Sequence, residues 1–452
     1  MKIVIIGKGK VGTKLSEQLV QEGYDVVVID RNSGALESAA NNADIICIEG
    51  NGAEYKVQME AGISEADLVI ACTSSDEINM LCCLLAKKHG AKRTIARVRN
   101  PEYYEQLPHI REELGLSMAI NPEMAAAAVI SRVLLFPVAN SVEPLAKGKV
   151  ELIEFLVDEG NPLIGKSLSE INRGYDFRLL ICAIQRDNHI FIPTGVDILQ
   201  TGDRIHMVAS HKELQKFFER IDLFRSSVKR VMIAGGSRIS YYLAKALLQQ
   251  KIQVKIIEQN LERCRSLCES LPKAVIIHGD ATNEDLLGEE GIENMDAFVA
   301  VTGLDEVNII LSIYAKTKKV SKIITKITQI SFTEMLDNMG IESIISPKGV
   351  TANIILRYVR SLAASAKSNG VESLIRLLDG NVEALEFHVE KESSFLNIPL
   401  KELSVKKGFL VACIVRKNEV IIPGGNDSIQ MDDSVIVVTT HPHVQDLRDM
   451  VH

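Results

Sequence analysis

The sequence predicts an α/β protein. It reads as two Rossmann-like, doubly wound parallel-sheet domains, each followed by a small α+β domain. Three observations predict this. A glycine-rich turn joins a buried strand to a helix at the very start. Strands and helices then alternate over about 120 residues. The whole pattern returns about 228 residues later, as from Gly7 to Gly235.

Residues 1–6 (MKIVII) read as a buried strand running into Gly7-Lys8-Gly9-Lys10-Val11-Gly12, a G-x-G-x-x-G. Val11, Leu15 and Leu19 follow at helical spacing, and a second strand ends on Asp30. This order is a dinucleotide fingerprint. The first glycine permits a tight turn, the second lets backbone approach a pyrophosphate, and the third lets helix and strand pack closely. The helix N-terminus offers unpaired N–H groups and partial positive charge to phosphates. A carboxylate at Asp30 suits both hydroxyls of an adenine-side ribose and repels a 2′-phosphate. Arg31, directly after it, joins the candidate set.

Further strands are expected at 44–48, 66–72, 94–98 and 116–120, with a helix carrying Leu36 before the first of them. Ligands of such sheets sit at the carboxyl ends of strands. Asn51, Thr73, Ser74 and Arg97 stand there. Plainer readings stand beside these. Ser74 and Glu77 have the spacing of a helix capping box. Asn51 suits a turn, and Arg97 an exposed surface.

Residues 121–140 form an apolar, Ala-rich stretch ending in Leu134-Leu135-Phe136-Pro137. It is too apolar for a lone surface helix and needs cover from another subunit or from a second copy of its domain. With its counterpart at 346–365 it argues for an oligomer. Residues 141–148 read as a linker. Strands at 151–157, 179–185, 189–193 and 204–209 and a helix at 212–221 make the small domain, with a hairpin turn at Arg186-Asp187-Asn188 and no catalytic constellation.

In the repeat, Gly235 and Gly236 open the second turn, Glu258 takes the place of Asp30, Asp280 that of Asn51, and Thr302 that of Thr73. Ser237 and Ser240 replace two glycines, and Lys326 stands for Arg97. Ser240 adds atoms where helix and strand need close contact. The second site is therefore expected to bind weakly, to prefer another adenine nucleotide, or to be structural. The expected domains are 1–140, 148–224, 228–365 and 370–452.

The chain has 452 residues, 24% charged, with net charge −8. No global basic field argues for nucleic acid, and no polybasic cluster argues for direct lipid insertion. No apolar run approaches the roughly 20 residues that span a bilayer. A strand beginning at Met1 leaves no room for a signal peptide. A cytoplasmic location is expected, with the eight cysteines as reduced thiols. Cys82-Cys83 and the Cys264/Cys268 pair suit helix packing, and His441-Pro442-His443 lacks a third ligand, so no metal site is expected.

Four stretches carry a resemblance: KIVIIGKGKVG at 2–12, VVVID at 26–30, AGISEADLVIACTSSDEIN at 61–79, and the two small domains. Over essentially its whole length the chain resembles the TrkA family, tandem RCK (regulator of potassium conductance) subunits of Trk-type potassium uptake systems. The resemblance implies NAD(H) and ATP or ADP in the Rossmann units and assembly as a ring, read as a homotetramer. It implies docking on an integral membrane potassium channel subunit at the inner face of the cell membrane, and gating by nucleotide exchange without catalysis. Gly7, Lys8, Gly9, Lys10, Val11, Asp30, Thr73, Ser74 and Arg97 would line the first site, with Gly235, Gly236, Glu258 and Thr302 as second-site counterparts. Asn51, where the family often has Asp, and Ser237 and Ser240 depart from the pattern. The alternative is a soluble NAD-dependent dehydrogenase, which needs an acid–base residue facing the nicotinamide. The small domains offer mainly β hairpins and no His, Lys or Tyr cluster that can be placed there.

Overall fold

The computed structural model describes residues 1–34, 36, 45–136, 138–175, 178–187, 189–221, 228–328, 336, 339, 341, 343–365, 371–377, 381–441, 444 and 446–451. The first unit runs β1 (Lys2–Ile6), α1 (Lys10–Gln21), β2 (Asp25–Asp30), β3 (Ile45–Glu49), α2 (Tyr55–Glu60), β4 (Leu68–Ala71), α3 (Asp76–Lys88), β5 (Thr94–Arg97), α4 (Pro101–Ile110), β6 (Met118–Ile120) and α5 (Pro122–Leu135). Its six strands lie parallel in the order β3-β2-β1-β4-β5-β6. Strand order reverses beside β1, so a crevice opens between the ends of β1 and β4. Beyond Lys2, the residues of β1 and β4 are buried on both faces, as a helix-covered parallel sheet requires. Asp44, the expected start of the third strand, lies outside the described residues.

The small unit follows with β7 (Ser141–Leu145), β8 (Val150–Leu156), α6 (Leu168–Tyr175), β9 (Leu179–Arg186), β10 (His189–Phe191), β11 (Arg204–Ala209) and α7 (His211–Arg220). The sheet is antiparallel in the order β10-β9-β11-β8-β7. The expected linker at 141–148 is instead largely an edge strand, β7, paired along β8. Pro144 lies within β7, as an edge strand tolerates. Asn188 of the expected turn lies outside the described residues.

The second Rossmann unit comprises β12 (Arg230–Ala234), α8 (Arg238–Gln249), β13 (Gln253–Glu258), α9 (Leu261–Ser270), β14 (Val275–His278), α10 (Glu284–Glu289), β15 (Ala297–Ala300), α11 (Asp305–Thr317), β16 (Lys322–Lys326), β17 (Ser343–Ile345) and α12 (Pro347–Ser365). Its strand order repeats the first. The last sheet holds β18 (Val371–Leu377), β19 (Val382–His388), β20 (Phe409–Arg416), β21 (Glu419–Ile421) and β22 (Ser434–Thr439).

The apolar helices find their cover within the chain. α5 packs on α8, the first helix of the other Rossmann unit, while α12 packs on α1 and on α5. Ala126, Ile130 and Leu134 share one core with Leu243, Ala244 and Leu247. Ile355 and Val359 join the core of Leu15 and Leu19. The apolar stretch therefore no longer argues for an oligomer, because each unit covers the other's helix. Pro137, at its end, lies outside the described residues. Polar contacts fix the crossing. Arg360 grips Glu22 with Nε–Oε2 at 2.9 Å and Nη2–Oε1 at 2.5 Å, and Asn121 Nδ2 donates to Tyr242 Oη at 2.9 Å.

Cys82 and Cys83 are buried in the first core, and all eight cysteines are free thiols. Among the described residues no group of three metal-ligating side chains forms. His441 stacks on Phe409, and Pro442 and His443 lie outside the described residues.

Candidate functional site

The first glycine turn shows three different local demands. Gly7 has φ +105°, and a Cβ there would lie 2.8 Å from the Thr73 nitrogen. A Cβ on Gly12 would come within 2.0 Å of the Gly7 oxygen, so this glycine sets the helix-to-strand distance. Gly9 borders open space and heads α1 without a side-chain cap. Its turn is the approach for a phosphate. Val11 is buried beneath it.

Asp30 stands at the tip of β2. Its Oδ1 accepts the Asn32 N–H at 2.9 Å and its Oδ2 the Lys8 N–H. The loop thus aims the carboxylate at the crevice. Arg31 beside it is exposed. The Lys8 side chain turns inward, its Nζ 2.6 Å from Ser16 Oγ, and burial lowers its pKa. Lys8 therefore holds Asp30 with its backbone N–H and brings no charge to the crevice. Lys10 is exposed and carries the charge instead.

Asn51 caps its own turn, with Oδ1 accepting the Ala53 N–H at 3.2 Å. At the tip of β4, Thr73 donates both its N–H and its hydroxyl to Asn79 Oδ1, each at 2.7 Å. Asn79 Nδ2 in turn donates to the Arg97 carbonyl at 2.9 Å, and Arg97 Nη2 to the Thr73 carbonyl. Arg97 is consequently no loose surface arginine: it is half-buried, and burial lowers its pKa. The helix cap is Ser75, not Ser74: Ser75 Oγ accepts the Ile78 N–H and donates to Glu77 Oε2 at 2.6 Å. Ser74 stays exposed at the crevice mouth.

Sequence reasoning matched Asn79 and Asp76 to Asn308 and Asp305 but gave them no role at the site. Asp76 Oδ2 accepts the N–H groups of Arg99 and Asn100 at 2.8 and 2.7 Å, tying α3 to the end of β5. The signal for Asn79 was available, since Asn308 repeats it. Asn308 Oδ1 accepts from Thr302 N–H and Oγ1 at 2.8 and 2.7 Å.

The second turn is rebuilt rather than merely degraded. Gly235 keeps φ +96°. Ser240 Oγ donates to the Gly235 oxygen, turning the close approach into a hydrogen bond, and accepts the Ser237 N–H at 3.1 Å. That N–H is the counterpart of Gly9's and is engaged within the turn. Glu258 accepts the N–H groups of Gly236 and Asn260 at 2.6 and 2.7 Å, as Asp30 does in the first unit. A Cβ on Gly236 would strike Leu267 and Glu258. Arg263 Nε donates to the Gly236 oxygen, and Asp280 accepts the N–H and hydroxyl of Thr282.

A cavity of about 1040 Å³ lies over the second turn, walled partly by Asn100, Glu102 and Glu105 of the first unit. A second cavity of about 560 Å³ separates the two turns. Lys10, Arg97, Arg99, Arg238, Arg263, Lys326 and Lys348 line it, against the single acid Glu123. Both Rossmann units thus supply cations to one space.

The TrkA-N domain family matches residues 3–122 and 231–347, and the TrkA-C domain family matches 152–222 and 384–452. The chain is 32% identical to the Trk system potassium uptake protein TrkA homolog of Archaeoglobus fulgidus, over 100% of both chains. It is also 32% identical to the Trk system potassium uptake protein TrkA of Halomonas elongata, over 97% of this chain and 95% of that one. Among solved structures, the GsuK RCK domain superposes with a TM-score of 0.62 at 16% identity, covering 97% of this chain and 92% of that one. The GsuK channel bound to NAD superposes with a TM-score of 0.63 at 17% identity, over 97% and 76%. The two relatives are named as potassium uptake proteins, not as dehydrogenases. The chain belongs to the TrkA family of Trk-system potassium uptake proteins.

Proposed function

We propose that the chain is the regulatory subunit of a Trk-type potassium uptake system, switched by nucleotides. NAD(H) enters the first crevice, with Asp30 on its ribose and the Gly9 turn on its pyrophosphate. ATP or ADP competes there or occupies the second crevice, where Glu258 replaces Asp30. The chain assembles as a homo-oligomeric ring, read as a tetramer. It sits on the cytoplasmic face of the membrane against an integral potassium channel subunit. Among the described residues no helix is long and apolar enough to cross a membrane.

The observation that carries this reading is the cation-lined cavity shared by the two glycine turns. A ligand shifts a conformational equilibrium only through differential affinity for its states. Phosphates placed in that cavity meet cations from both Rossmann units, so their binding energy depends on how the units are arranged. Ligands with different phosphate reach then favour different arrangements. The GsuK channel, of similar fold, has been solved bound to NAD and bound to ADP, which supports the same ligand classes here.

The test is scattering from the full chain with NADH, ATP or ADP at saturation. Different particle shapes with NADH and with ATP support the reading. Binding without any change of shape, or rapid oxidation of NADH on an added carbonyl substrate, contradicts it.

A further inference from the structure

The two antiparallel sheets lie face to face, and the layer between them is almost wholly apolar. Leu152, Ala183 and Val208 come from the first sheet, Val382, Ala412 and Ile436 from the second. One imidazole interrupts it. Ile205 and Met207 face the opposite core, so His206 between them points with Val208 into the layer. It is 2% exposed, and neither Nδ1 nor Nε2 has a hydrogen-bond partner. Buried polar side chains rarely go unpaired.

The charged and titratable groups around the ring are few. On β8, Glu154 stands directly opposite. Its carboxylate already accepts Ser141 Oγ at 3.1 Å and Arg204 Nη1 at 3.2 Å. Arg204 lies two residues away on the same strand. On β9 the ring's register partner is Ala183, and the neighbouring Cys182 thiol donates to the His206 carbonyl at 3.4 Å. The second sheet contributes the Cys413 thiol and Glu386, whose carboxylate accepts the Ala146 N–H at 3.1 Å and the Ser434 hydroxyl at 2.7 Å. Among the described residues Glu154 and Glu386 are both already engaged, so an imidazolium in this layer would have to compete with their present partners. Burial accordingly pushes the pKa of His206 down, against the opposing pull of Glu154 and with some help from Arg204.

The fold does not require a ring here. In the second sheet Ile436 pairs with Glu386 as His206 pairs with Glu154, and Ile436 is fully buried. An aliphatic side chain fills the equivalent place.

We propose that the joint between the two small sheets is a proton-sensitive latch with His206 as its sensor: the sheets pack while the ring is neutral and part when it takes up a proton. Water reaches the ring only in the opened joint, where it titrates near its ordinary value of 6.5. The closed joint resists protonation. Closure is therefore intact above that pH and is lost as pH falls below it. The closed-to-open ratio falls by up to about tenfold per pH unit. Opening frees one of the places where the halves of the chain meet, the crossed helices being another. Acidification thus loosens their coupling, whatever the nucleotide sites hold.

The test is hydrogen exchange on the full chain from about pH 5.5 to about 8, corrected for intrinsic rates. Wild type and His206→Ile are compared. The expected result is that amides of β8, β9, β11 and β20 lose protection by up to about tenfold per unit below 6.5 in wild type. Protection in the variant stays flat. Equal pH profiles overturn the latch. If His206→Ile does not fold, imidazole-labelled wild type is followed by NMR. The latch predicts that the His206 signal moves together with the interface methyl signals. A ring titrating near 6.5 with those methyls unmoved overturns it.

Discussion

Asn79 and Thr73 meet twice: the Oδ1 of the fully buried asparagine accepts both the N–H and the hydroxyl of the threonine, each at 2.7 Å. The Nδ2 of Asn79 also holds the Arg97 carbonyl. One amide thus sets the spacing of the β4 and β5 tips, and Asn308 repeats it with Thr302 and Lys326. Replacing Asn79 by Ala leaves the Thr73 N–H without its acceptor. The expected loss is about 1–3 kcal/mol of stability, read by denaturant unfolding, together with weaker nucleotide binding. A variant as stable as wild type would show that the node is dispensable.

The second and third glycines of the turn should separate by role. A Cβ at Gly12 collides with the Gly7 oxygen at 2.0 Å, whereas one at Gly9 meets nothing within 4 Å. Gly12→Ala is expected to cost about 1–3 kcal/mol of stability. Gly9→Ala should keep the melting temperature and lose about tenfold in nucleotide affinity, equal to about 1.4 kcal/mol. Thermal melts and calorimetry on both variants distinguish the roles.

Arg360 and Glu22 carry side-chain exposures of 12% and 8% across the crossing of α12 and α1. Removing one partner of so buried a pair strands the other charge. Arg360→Ala is expected to destabilise the chain by about 3–5 kcal/mol, while a volume-matched apolar replacement of both is expected to recover much of it. A double-mutant cycle in urea measures the difference.

His211 should act in the opposite sense to His206. Its Nδ1 lies 3.1 Å from Glu151 Oε1, and that hydrogen bond raises its pKa despite partial burial. Stability from the pair is fully present below the ordinary value of 6.5 and is lost as pH rises through the raised value. The ring is half exposed, so the effect is small. His211→Asn should flatten this limb of a stability–pH curve between about pH 6 and about 8, and leave the acid limb in place.

The Rossmann units were legible because strand hydrophobicity, glycine chemistry and strand-end acids are local features, written within a few residues of one another. Asp30 and Glu258 could be placed at strand tips for that reason. What escaped was set by distance or by a one-residue ambiguity. Both Ser74 and Ser75 precede α3, and only backbone geometry makes Ser75 the cap. Asn79 lies one turn inside a helix, where its repeat at Asn308 marks the position but only the fold shows that it holds Thr73 and Arg97. Ser141–Leu145 looked like a linker because its strand partner decides its state. The need of residues 121–140 for cover was readable, but the identity of the cover, α8 and α12, depends on how two distant units dock.

The central claim is that Asp30 captures the ribose of a dinucleotide in the first crevice. Calorimetry of NADH binding to the full chain, with wild type and Asp30→Ala side by side, tests it most directly. The account predicts wild-type binding, a loss of at least about tenfold in affinity for the variant, and a cooperative melt without ligand, lowered only by the lost acceptor of the Lys8 and Asn32 N–H groups. Equal NADH affinity in the two proteins, or no binding by wild type, would contradict it.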